Sequence, residues 1–286
     1  MRAKYGTIAV APLTPAIGAE VNGVDLSKPL SADQWGDIRD AFIAHHVLVF
    51  RNQTLTRDDH KRFGRVFGAL HVHPFHAKGT VPDHSKSAAP DPEILIVKAD
   101  KTSKNVAGEV WHTDVTCDAA PPLGSMLYIT ETPEIGGGDT CFLSAIRAYD
   151  ALSPAMKEIV KGLTATHDGA KLYVGGYGLD RPEGGWPSAV HPVVTRHPDS
   201  GKLALFVNRG FTTRINEFSR EESDALLELL WRHLESHVEF QCRVRWEPGT
   251  LTFWDNRVTQ HHSVWDYFPH SRYGERVSIV GERPTL

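Results

Sequence analysis

His112 and Asp114, a histidine and an aspartate separated by one residue, are the side chains in this sequence best placed to share a metal ion. On an extended strand, residues i and i+2 point to the same face, so both could reach one ion. His261 follows an apolar run at residues 251–254, which predicts a core strand that delivers this third candidate at or near its end. Its neighbour His262 would then face the opposite way. Two imidazoles and one carboxylate are typical ligands of non-haem Fe(II) centres that leave metal positions open.

A non-haem Fe(II) centre with open positions is typical of an oxygenase, but these three residues are also compatible with other roles. His-x-Asp pairs are common on protein surfaces, and His261 could be an ordinary hydrogen-bonded core histidine. The same residues could hold zinc in a metal-dependent hydrolase or lyase, whose reaction needs no oxygen. They could also be core residues of a non-catalytic binding or storage protein of jelly-roll type. Oxygen consumption would separate an oxygenase from a hydrolase.

Two arginines near the C-terminus, Arg272 and Arg276, are candidates for binding anions. The guanidinium group forms a rigid fork that matches a carboxylate or sulfonate in a bidentate manner. For either arginine alone, a surface salt bridge is the commoner arrangement.

The elements that must position these residues are mostly short strands, with a few helices between them. Helix starts are predicted at capping boxes that begin at Ser31 and Ser219, at Thr56, and at Ser153, where a proline follows the capping residue. The strand-like runs are at residues 8–10, 19–21, 47–50, 94–97, 124–129, 203–207, 240–246, 251–254 and 276–280. Many short strands favour a barrel or jelly roll over a doubly wound sheet.

No repeat or linker divides the chain, so a single domain over residues 1–286 is expected. Two weakly patterned segments, residues 77–108 and 169–188, are candidate lid loops, because long loops in compact domains are often lids. The sequence contains no glycine-rich motif that binds a dinucleotide or a phosphate group, so nothing in it predicts a nucleotide cofactor.

Composition excludes several classes of partner. Lys+Arg 31 against Asp+Glu 35 gives a net charge of −4, which argues against binding nucleic acid or an anionic membrane surface. The three cysteines form neither a zinc-ribbon nor a disulfide pattern and are expected to be partly buried thiols. Without a signal-peptide pattern or a membrane-spanning run, we expect a cytoplasmic protein.

Four blocks of sequence, in order along the chain, resemble the taurine dioxygenase family of Fe(II)- and 2-oxoglutarate-dependent dioxygenases. The blocks are Trp-His-Thr-Asp at 111–114, Gly-Gly-Asp-Thr at 137–140, residues 206–215, and Trp-Asp-Asn-Arg-Val-Thr-Gln-His at 254–261. The resemblance extends from about residue 10 to residue 283. It implies a β-rich fold with flanking helices, namely a double-stranded β-helix, which is a jelly-roll variant.

The resemblance assigns the iron and co-substrate positions residue by residue. His112, Asp114 and His261 match the iron ligands. Arg272 matches the residue that binds the distal carboxylate of 2-oxoglutarate, helped by the hydroxyl group of Thr140. The implied cofactors are therefore Fe(II), 2-oxoglutarate as co-substrate, and O2.

The resemblance also assigns positions around the substrate. Arg276 and His73 match two contacts to a substrate sulfonate, and the backbone of Val115 and the ring of Phe211 match pocket positions. The implied reaction hydroxylates the carbon next to the sulfonate or sulfate ester of a small organic anion. An aldehyde and sulfite or sulfate are released, together with succinate and CO2. A homodimer or homotetramer is also implied.

Two positions depart from the pattern of the family's taurine-specific member. That protein has a tyrosine and an asparagine around the substrate amine, and His76 and Gly108 stand at those positions here. A site without hydrogen-bond partners for the amine discriminates poorly in its favour. These departures place taurine in question as the substrate, and an alkyl sulfate, another sulfonate or a carboxylate such as an aryloxyalkanoate becomes a candidate beside it.

Overall fold

The computed structural model of the protein describes residues 5–79 and 90–286. Within these ranges the strands are β1 (Ala9–Pro12), β2 (Ala19–Asn22), β3 (Val47–Phe50), β4 (Leu70–His71), β5 (Leu95–Ala99), β6 (Gly124–Glu131), β7 (Thr140–Ser144), β8 (Thr164–Asp168), β9 (Ser188–Pro192), β10 (Val194–Arg196), β11 (Leu203–Leu205), β12 (Thr212–Ile215), β13 (Gln241–Val244), β14 (Thr250–Asp255), β15 (Thr259–Ser263) and β16 (Arg272–Ile279). The helices are α1 (Ala32–His45), α2 (Arg57–Arg65), α3 (Pro74–Ala77), α4 (Ala145–Ala151), α5 (Pro154–Val160), α6 (Gly169–Tyr173) and α7 (Arg220–Ser236).

A large sheet forms one layer of the fold. Its strand order is β1-β2-β3-β14-β6-β16-β4. The eighth strand, β5, pairs with β16 in addition to the strands in this order. All pairings are antiparallel except that of β2 with β3. The buried run of β14 lies at the centre of the sheet, between β3 and β6, which explains why every residue of this strand is buried.

A smaller sheet of order β13-β7-β15 packs against the large one. The core between them is apolar: Phe142 of β7 lies 5.6 Å from Trp254 of β14, measured between ring centroids, and Val47 and Leu127 belong to the same cluster. Two sheets, antiparallel apart from the pairing of β2 with β3, enclose one core and form the jelly roll that the resemblance implied. The β-rich double-stranded β-helix with flanking helices is therefore confirmed. Two further small sheets, β12-β8-β9 and β10-β11, lie outside this pair.

The helices begin where capping residues predict them. Ser31, Thr56 and Ser219 each accept a hydrogen bond from the third helical backbone N–H, and the residue at that position bonds back to the cap. Helices α1 and α2 cover the outer face of the large sheet, where Phe42 stacks on Phe253 of β14 with centroids 3.9 Å apart. The long helix α7 packs with α4 in a separate cluster beside the smaller sheet.

The structure contains elements that the sequence did not predict, and it changes the expected setting of His112 and Asp114. Strands β7, β8 and β15 were not predicted, and the sequences of β8 and β15 are mostly polar. The segment at residues 77–108 contains strand β5, which the apolar run at residues 94–97 predicted, and its residues 80–89 lie outside the described residues. The segment at residues 169–188 begins with helix α6, which was not predicted. His112 forms only an isolated bridge and Asp114 lies in a turn, so the two do not share a strand.

All three cysteines are free thiols, as expected; Cys117 and Cys242 are buried and Cys141 is half-buried. Among the residues described, none of the helices combines the length and the apolar character that crossing a bilayer requires.

Replacing Phe42 with alanine should test the contact between α1 and the large sheet. Phe42 is 2% exposed and stacks on Phe253, so we expect the free energy of unfolding to fall by about 3–5 kcal/mol in urea denaturation. Trp35→Ala on the same helix is the matched control, because Trp35 is 37% exposed and its loss should cost about 1 kcal/mol or less. Equal losses in the two variants would contradict this packing.

Candidate metal centre and active site

A pair of backbone hydrogen bonds brings the two candidate histidine ligands together. The N–H of His112 donates to the carbonyl of His261 at 3.1 Å, and the N–H of His261 donates back at 2.8 Å. The two rings consequently lie with centroids 4.1 Å apart. One ligand atom from each of His112, Asp114 and His261 lies within 4.8 Å of the others. The structure therefore places all three predicted metal ligands in one cluster.

The positions of the ligands on their elements differ from the prediction. His261 lies in the middle of β15, one strand beyond the apolar strand β14 that was expected to deliver it. Asp114 reaches the histidines from a turn in which the next residue, Val115, has a left-handed φ of 51°. His262 is only partly buried and contacts the Trp111 ring on the other side, which confirms that adjacent strand residues face opposite ways.

Asn256, which the sequence analysis did not single out, fixes the backbone of Asp114. Its side-chain oxygen accepts from the Asp114 N–H at 2.8 Å, and its amide group donates to the Asp114 carbonyl at 3.0 Å. The same amide also donates to the carbonyl of Pro122 at 3.0 Å. Asn256 lies in the matched block at residues 254–261, and that block was the available signal for it.

The carboxylate of Asp114 is surrounded by partners. Its Oδ1 lies 3.7 Å from Nε2 of His112 and 3.9 Å from Nε2 of His261, and it accepts a hydrogen bond from Arg276 Nη1 at 2.6 Å. Its Oδ2 accepts from the hydroxyl of Ser125 at 2.8 Å. Burial alone would raise the pKa of Asp114, but the charge of Arg276 and the nearby imidazoles hold this pKa well below its usual range. The carboxylate is thus ionised, as a metal ligand must be.

Different contacts hold the two imidazole rings of the cluster. His112 Nδ1 donates to the carbonyl of Val110 at 2.7 Å, which leaves the Nε2 lone pair pointing away from that contact. Burial lowers the pKa of His261 well below its usual value, and the nearby His112 lowers it further, so the ring is neutral. Trp254 and Phe142 pack on the His261 ring at centroid distances of 4.9 and 5.8 Å. Two imidazoles, that of His261 neutral, and one ionised carboxylate fit Fe(II).

A cavity opens beside this triad, and both candidate lid segments contribute to its wall. Its lining residues are His73, Phe75, Leu95, Val97, Ala107, Gly108, His112, Asp114, Val115, Leu127, Thr140, Phe142, Leu172, Tyr173, Tyr177, Phe211, Trp246, Trp254, His261, Ser263 and Arg276. The predicted site residues His73, Val115, Phe211, Thr140 and Arg276 are therefore all present in this wall.

Arg272, the first residue of β16, is a buried cation that forms no ion pair with a carboxylate of the described residues. It is 2% exposed, and its Nε and Nη2 atoms have no hydrogen-bond partner among the described residues. Its guanidinium carbon lies 5.5 Å from the centre of the Trp246 ring, and the indole N–H of Trp246 donates to the hydroxyl of Thr140 at 3.0 Å. Burial lowers the pKa of Arg272, because the surrounding groups compensate its charge poorly. Buried charges are normally paired, so this arginine fits an anionic ligand.

Arg276 and His73 lie together on the metal side of the cavity. Arg276 pairs with Asp114, a contact that the sequence did not predict, while its Nε is buried without a hydrogen-bond partner among the described residues. His73 Nδ1 accepts from the N–H of Phe75 at 3.2 Å, so the neutral ring carries its proton on Nε2. Burial and the charge of Arg276 lower the pKa of His73 well below its usual value. His73 can therefore act as a neutral hydrogen-bond donor.

The two departures from the family pattern have different surroundings. His76 is half-buried on α3 and does not belong to the cavity wall. Gly108 does line the cavity, and its N–H donates to the hydroxyl of Tyr177 at 2.9 Å. Tyr177, missed from the sequence because it lies in the glycine-rich segment 169–188, thus brings a hydroxyl group next to this position. Burial raises the pKa of Tyr177 to about 12, so that hydroxyl is neutral.

Comparison with known proteins agrees with this geometry. An alpha-ketoglutarate-dependent sulfonate dioxygenase from Saccharomyces cerevisiae is 33% identical over 98% of this chain and 68% of its own length. An alpha-ketoglutarate-dependent sulfate ester dioxygenase from Pseudomonas putida is 34% identical over 96% of this chain and 90% of its own length. The crystal structure of a taurine dioxygenase from Burkholderia xenovorans superimposes with a TM-score of 0.82 at 33% identity, covering 98% of this chain and 91% of that one.

The family described as "Taurine catabolism dioxygenase TauD, TfdA family" matches residues 9–278, which include the metal triad and both buried arginines. This match favours the oxygenase interpretation of the His-Asp-His cluster over the zinc hydrolase and the non-catalytic jelly roll. The chain belongs to the TauD/TfdA family and is an alpha-ketoglutarate-dependent dioxygenase with a His-Asp-His metal site.

Proposed function

We propose that this dioxygenase hydroxylates the carbon next to the anionic group of a small sulfate ester or sulfonate with an apolar tail. The net reaction consumes 2-oxoglutarate and O2 and releases an aldehyde, sulfite or sulfate, succinate and CO2. The observation that carries the proposal is the pair of buried arginines, Arg272 and Arg276, whose guanidinium groups keep N–H groups without partners among the described residues.

The two arginines lie on one face of β16. Along this strand, buried residues (Arg272, Gly274 and Arg276) alternate with partly buried ones. The side chains of Arg272 and Arg276 therefore point to the same, buried face of the sheet. Four residues of strand separate their Cα atoms by about 13 Å. This spacing allows two different anions to bind on either side of the metal triad, which is what a reaction with an anionic substrate and a dicarboxylate co-substrate requires.

Arg272 is proposed to bind the distal carboxylate of 2-oxoglutarate together with Thr140. Trp246 organises this end, because its ring lies next to the Arg272 guanidinium and its N–H donates to the Thr140 hydroxyl. The Thr140 oxygen is the acceptor in that bond, so its own proton remains available for donation to a carboxylate.

Arg276 and His73 are proposed to bind the anionic group of the substrate. Arg276 offers charge and an Nε without a partner among the described residues, and the neutral His73 offers its Nε2 proton. Because Arg276 also donates to Asp114, an anion on its remaining N–H groups would lie next to the metal ligands. The carbon attached to that anion would then be the part of the substrate nearest the site of oxidation.

The remainder of the substrate is proposed to contact an apolar wall formed by Phe75, Leu172, Tyr173 and Phe211, with Val115 beside it. These residues form one buried cluster, and the Phe75 ring lies 4.2 Å from the ring of His73. Among the cavity-lining residues that the structure describes, Asp114 is the sole carboxylate, and it is already engaged by Arg276. An apolar tail therefore matches this wall better than the ammonium group of taurine does.

Fe(II), when bound with 2-oxoglutarate and O2, supplies the oxidising chemistry at this site. His112, Asp114 and His261 are the residues that would hold the metal. The protein otherwise contributes orientation through its anion-binding side chains, and its apolar wall excludes water from the substrate carbon.

An aryloxyalkanoate substrate is the second candidate. The apolar wall is largely aromatic, with the Phe75 and Tyr173 rings 4.9 Å apart and the Tyr173 and Phe211 rings 5.6 Å apart, and could pack against an aryl ring. A carboxylate would take the place of the sulfate on Arg276. An (S)-phenoxypropionate/alpha-ketoglutarate-dioxygenase from Sphingobium herbicidovorans is 30% identical over 90% of this chain, which supports this second candidate.

Three further expectations from the sequence stay proposals. Treating residues 1–286 as one domain is supported by the site itself, since the metal ligands come from distant parts of the chain. The homodimer or homotetramer and the cytoplasmic location stay predictions, and three free thiols are consistent with a reducing compartment.

Replacing His112 with alanine should abolish substrate-dependent succinate formation. The variant loses one of three metal ligands, and the measurement is succinate release after anaerobic Fe(II) loading and exposure to oxygen. His262→Ala is the matched control, because this ring faces Trp111 and away from the cluster, and it should retain turnover. Turnover by the His112 variant would refute the ligand assignment.

Replacing Arg272 with methionine should raise the 2-oxoglutarate concentration needed for half-maximal rate by about tenfold or more, because a charge-assisted hydrogen bond is lost. Metal affinity should change less. Arg220→Met serves as the control, since Arg220 is exposed and pairs with Asp224 on the surface of helix α7. An unchanged 2-oxoglutarate requirement in the Arg272 variant would disprove the proposed role.

A panel of anions should identify the substrate class. The panel contains a short alkyl sulfate, an alkanesulfonate of equal length, taurine and an aryloxyacetate, each scored by substrate-dependent succinate release. We expect kcat/KM for taurine to lie about tenfold or more below that of the alkyl anions, because the described part of the cavity wall offers its ammonium group no free carboxylate. Taurine as the preferred substrate would contradict the proposed tail specificity, and preference for the aryloxyacetate would favour the second candidate.

A further inference from the structure

A tight turn at residues 208–212 lies directly behind the metal ligands. Asn208 closes this turn: its N–H donates to the Thr212 hydroxyl at 2.9 Å, and its carbonyl accepts from the Thr212 N–H at 3.1 Å. The side-chain oxygen of Asn208 accepts from the Phe211 N–H at 2.9 Å. Asn208 and Thr212 are each 1% exposed or less, so these bonds are shielded from water.

The turn contacts the first metal ligand through Gly210. A Cβ atom added to Gly210 would lie 2.9 Å from the Cβ of His112, closer than real Cβ atoms approach. Gly210 does not have a positive φ, so its backbone conformation is available to any residue. The absence of a side chain at Gly210 therefore serves the close approach to His112 and not the turn geometry.

The turn contacts the second ligand segment through Asn208. The Asn208 side-chain amide donates to the hydroxyl of Thr116 at 3.1 Å, and Thr116 lies two residues after Asp114. The same hydroxyl lies 2.9 Å from Nδ1 of the buried His167. These contacts fix the turn that follows Asp114, in which Val115 has its left-handed φ of 51°.

Helix α7 anchors the turn from outside. The guanidinium group of Arg209 pairs with Glu235 at 2.8 Å and with Glu228 at 2.9 Å, and it lies over the ring of Trp231 at 5.0 Å. Lys171 donates to the carbonyl of Thr212 at 2.6 Å. The turn is thus attached to the long helix α7 and, through Lys171, to α6. On its other side it contacts the segments that carry His112 and Asp114.

We propose that the turn at residues 208–212 is a positioning element for the metal site, with Gly210 setting the location of His112 and Asn208 setting the segment after Asp114. This role concerns metal binding and is independent of the substrate class proposed for the enzyme. It also gives a physical reason for the block at residues 206–215, of which only Phe211 reaches the cavity. Residues that orient ligands typically change metal affinity by about 10- to 100-fold when replaced.

The first test is Gly210→Ala, measured by anaerobic titration of the metal-free protein with Fe(II) and with Co(II). We expect the metal dissociation constant to rise about tenfold and the Co(II) ligand-field absorption bands to change, because the added methyl group displaces His112. Gly64→Ala is the matched control: its added Cβ would lie 2.9 Å from Leu70 Cδ2 and 3.0 Å from Val277 Cγ1, away from His112. Wild-type affinity in the Gly210 variant, or equal losses in both variants, would overturn the proposal.

A second pair of variants keeps the proposal testable if Gly210→Ala does not fold. Thr116→Val removes the hydroxyl that Asn208 binds and should weaken metal binding, whereas Thr116→Ser retains the hydroxyl and should restore it. Thermal unfolding of both variants controls for general loss of stability. If the valine and serine variants bind metal equally well, the contact from Asn208 does not position the site.

Discussion

The two backbone hydrogen bonds between His112 and His261 are the interaction on which the rest of the site depends. The segment containing His112 belongs to no extended strand, and this bridge attaches it to β15. Strand β15 is itself held in register by β7, where Phe142 pairs with His261. The hydrogen bonds from Asn256 then fix Asp114 relative to this bridge. A jelly roll supplies such a site because two sheets bring strands that are distant in sequence to the edges of one core.

This arrangement buries several charged side chains, which is unfavourable, and the structure shows which of these charges have partners. Asp114 is compensated by Arg276 and by two imidazoles, which keeps it ionised in an interior where an isolated carboxylate would be neutral. The charge of Arg272 is compensated only poorly, and its Nε and Nη2 have no hydrogen-bond partner among the described residues. Among the same residues the Nε of Arg276 has no partner either. Unpaired buried groups destabilise a protein unless a ligand satisfies them, and they concentrate at functional sites for that reason. The metal, the co-substrate and the substrate are accordingly expected to stabilise the folded state when they bind.

The sequence predicted those helices and strands that are determined by residues within their own segment. The capping boxes at Ser31 and Ser219 begin α1 and α7 because each cap satisfies backbone N–H groups within its own segment. The apolar runs of β3 and β14 also matched, since burial on both faces leaves a continuous hydrophobic signal. Strand β15, with the sequence Thr-Gln-His-His-Ser, carries no such signal. It is a strand because β7 pairs with it, and that pairing cannot be read from five polar residues.

Side-chain types and their order along the chain were enough to identify the metal ligands, the two arginines suited to anions, and the blocks that resemble the TauD/TfdA family. The three-dimensional fold was needed to show that Asp114 approaches from a turn, that Arg276 pairs with it, and that Asn256 and the turn at residues 208–212 lie behind the ligands. The same is true of Tyr177, whose hydroxyl accepts a hydrogen bond from Gly108. The physical reason is that ligand chemistry depends on side-chain type, whereas these contacts join residues from distant segments. Their distances are set by sheet register and packing, which no local pattern contains.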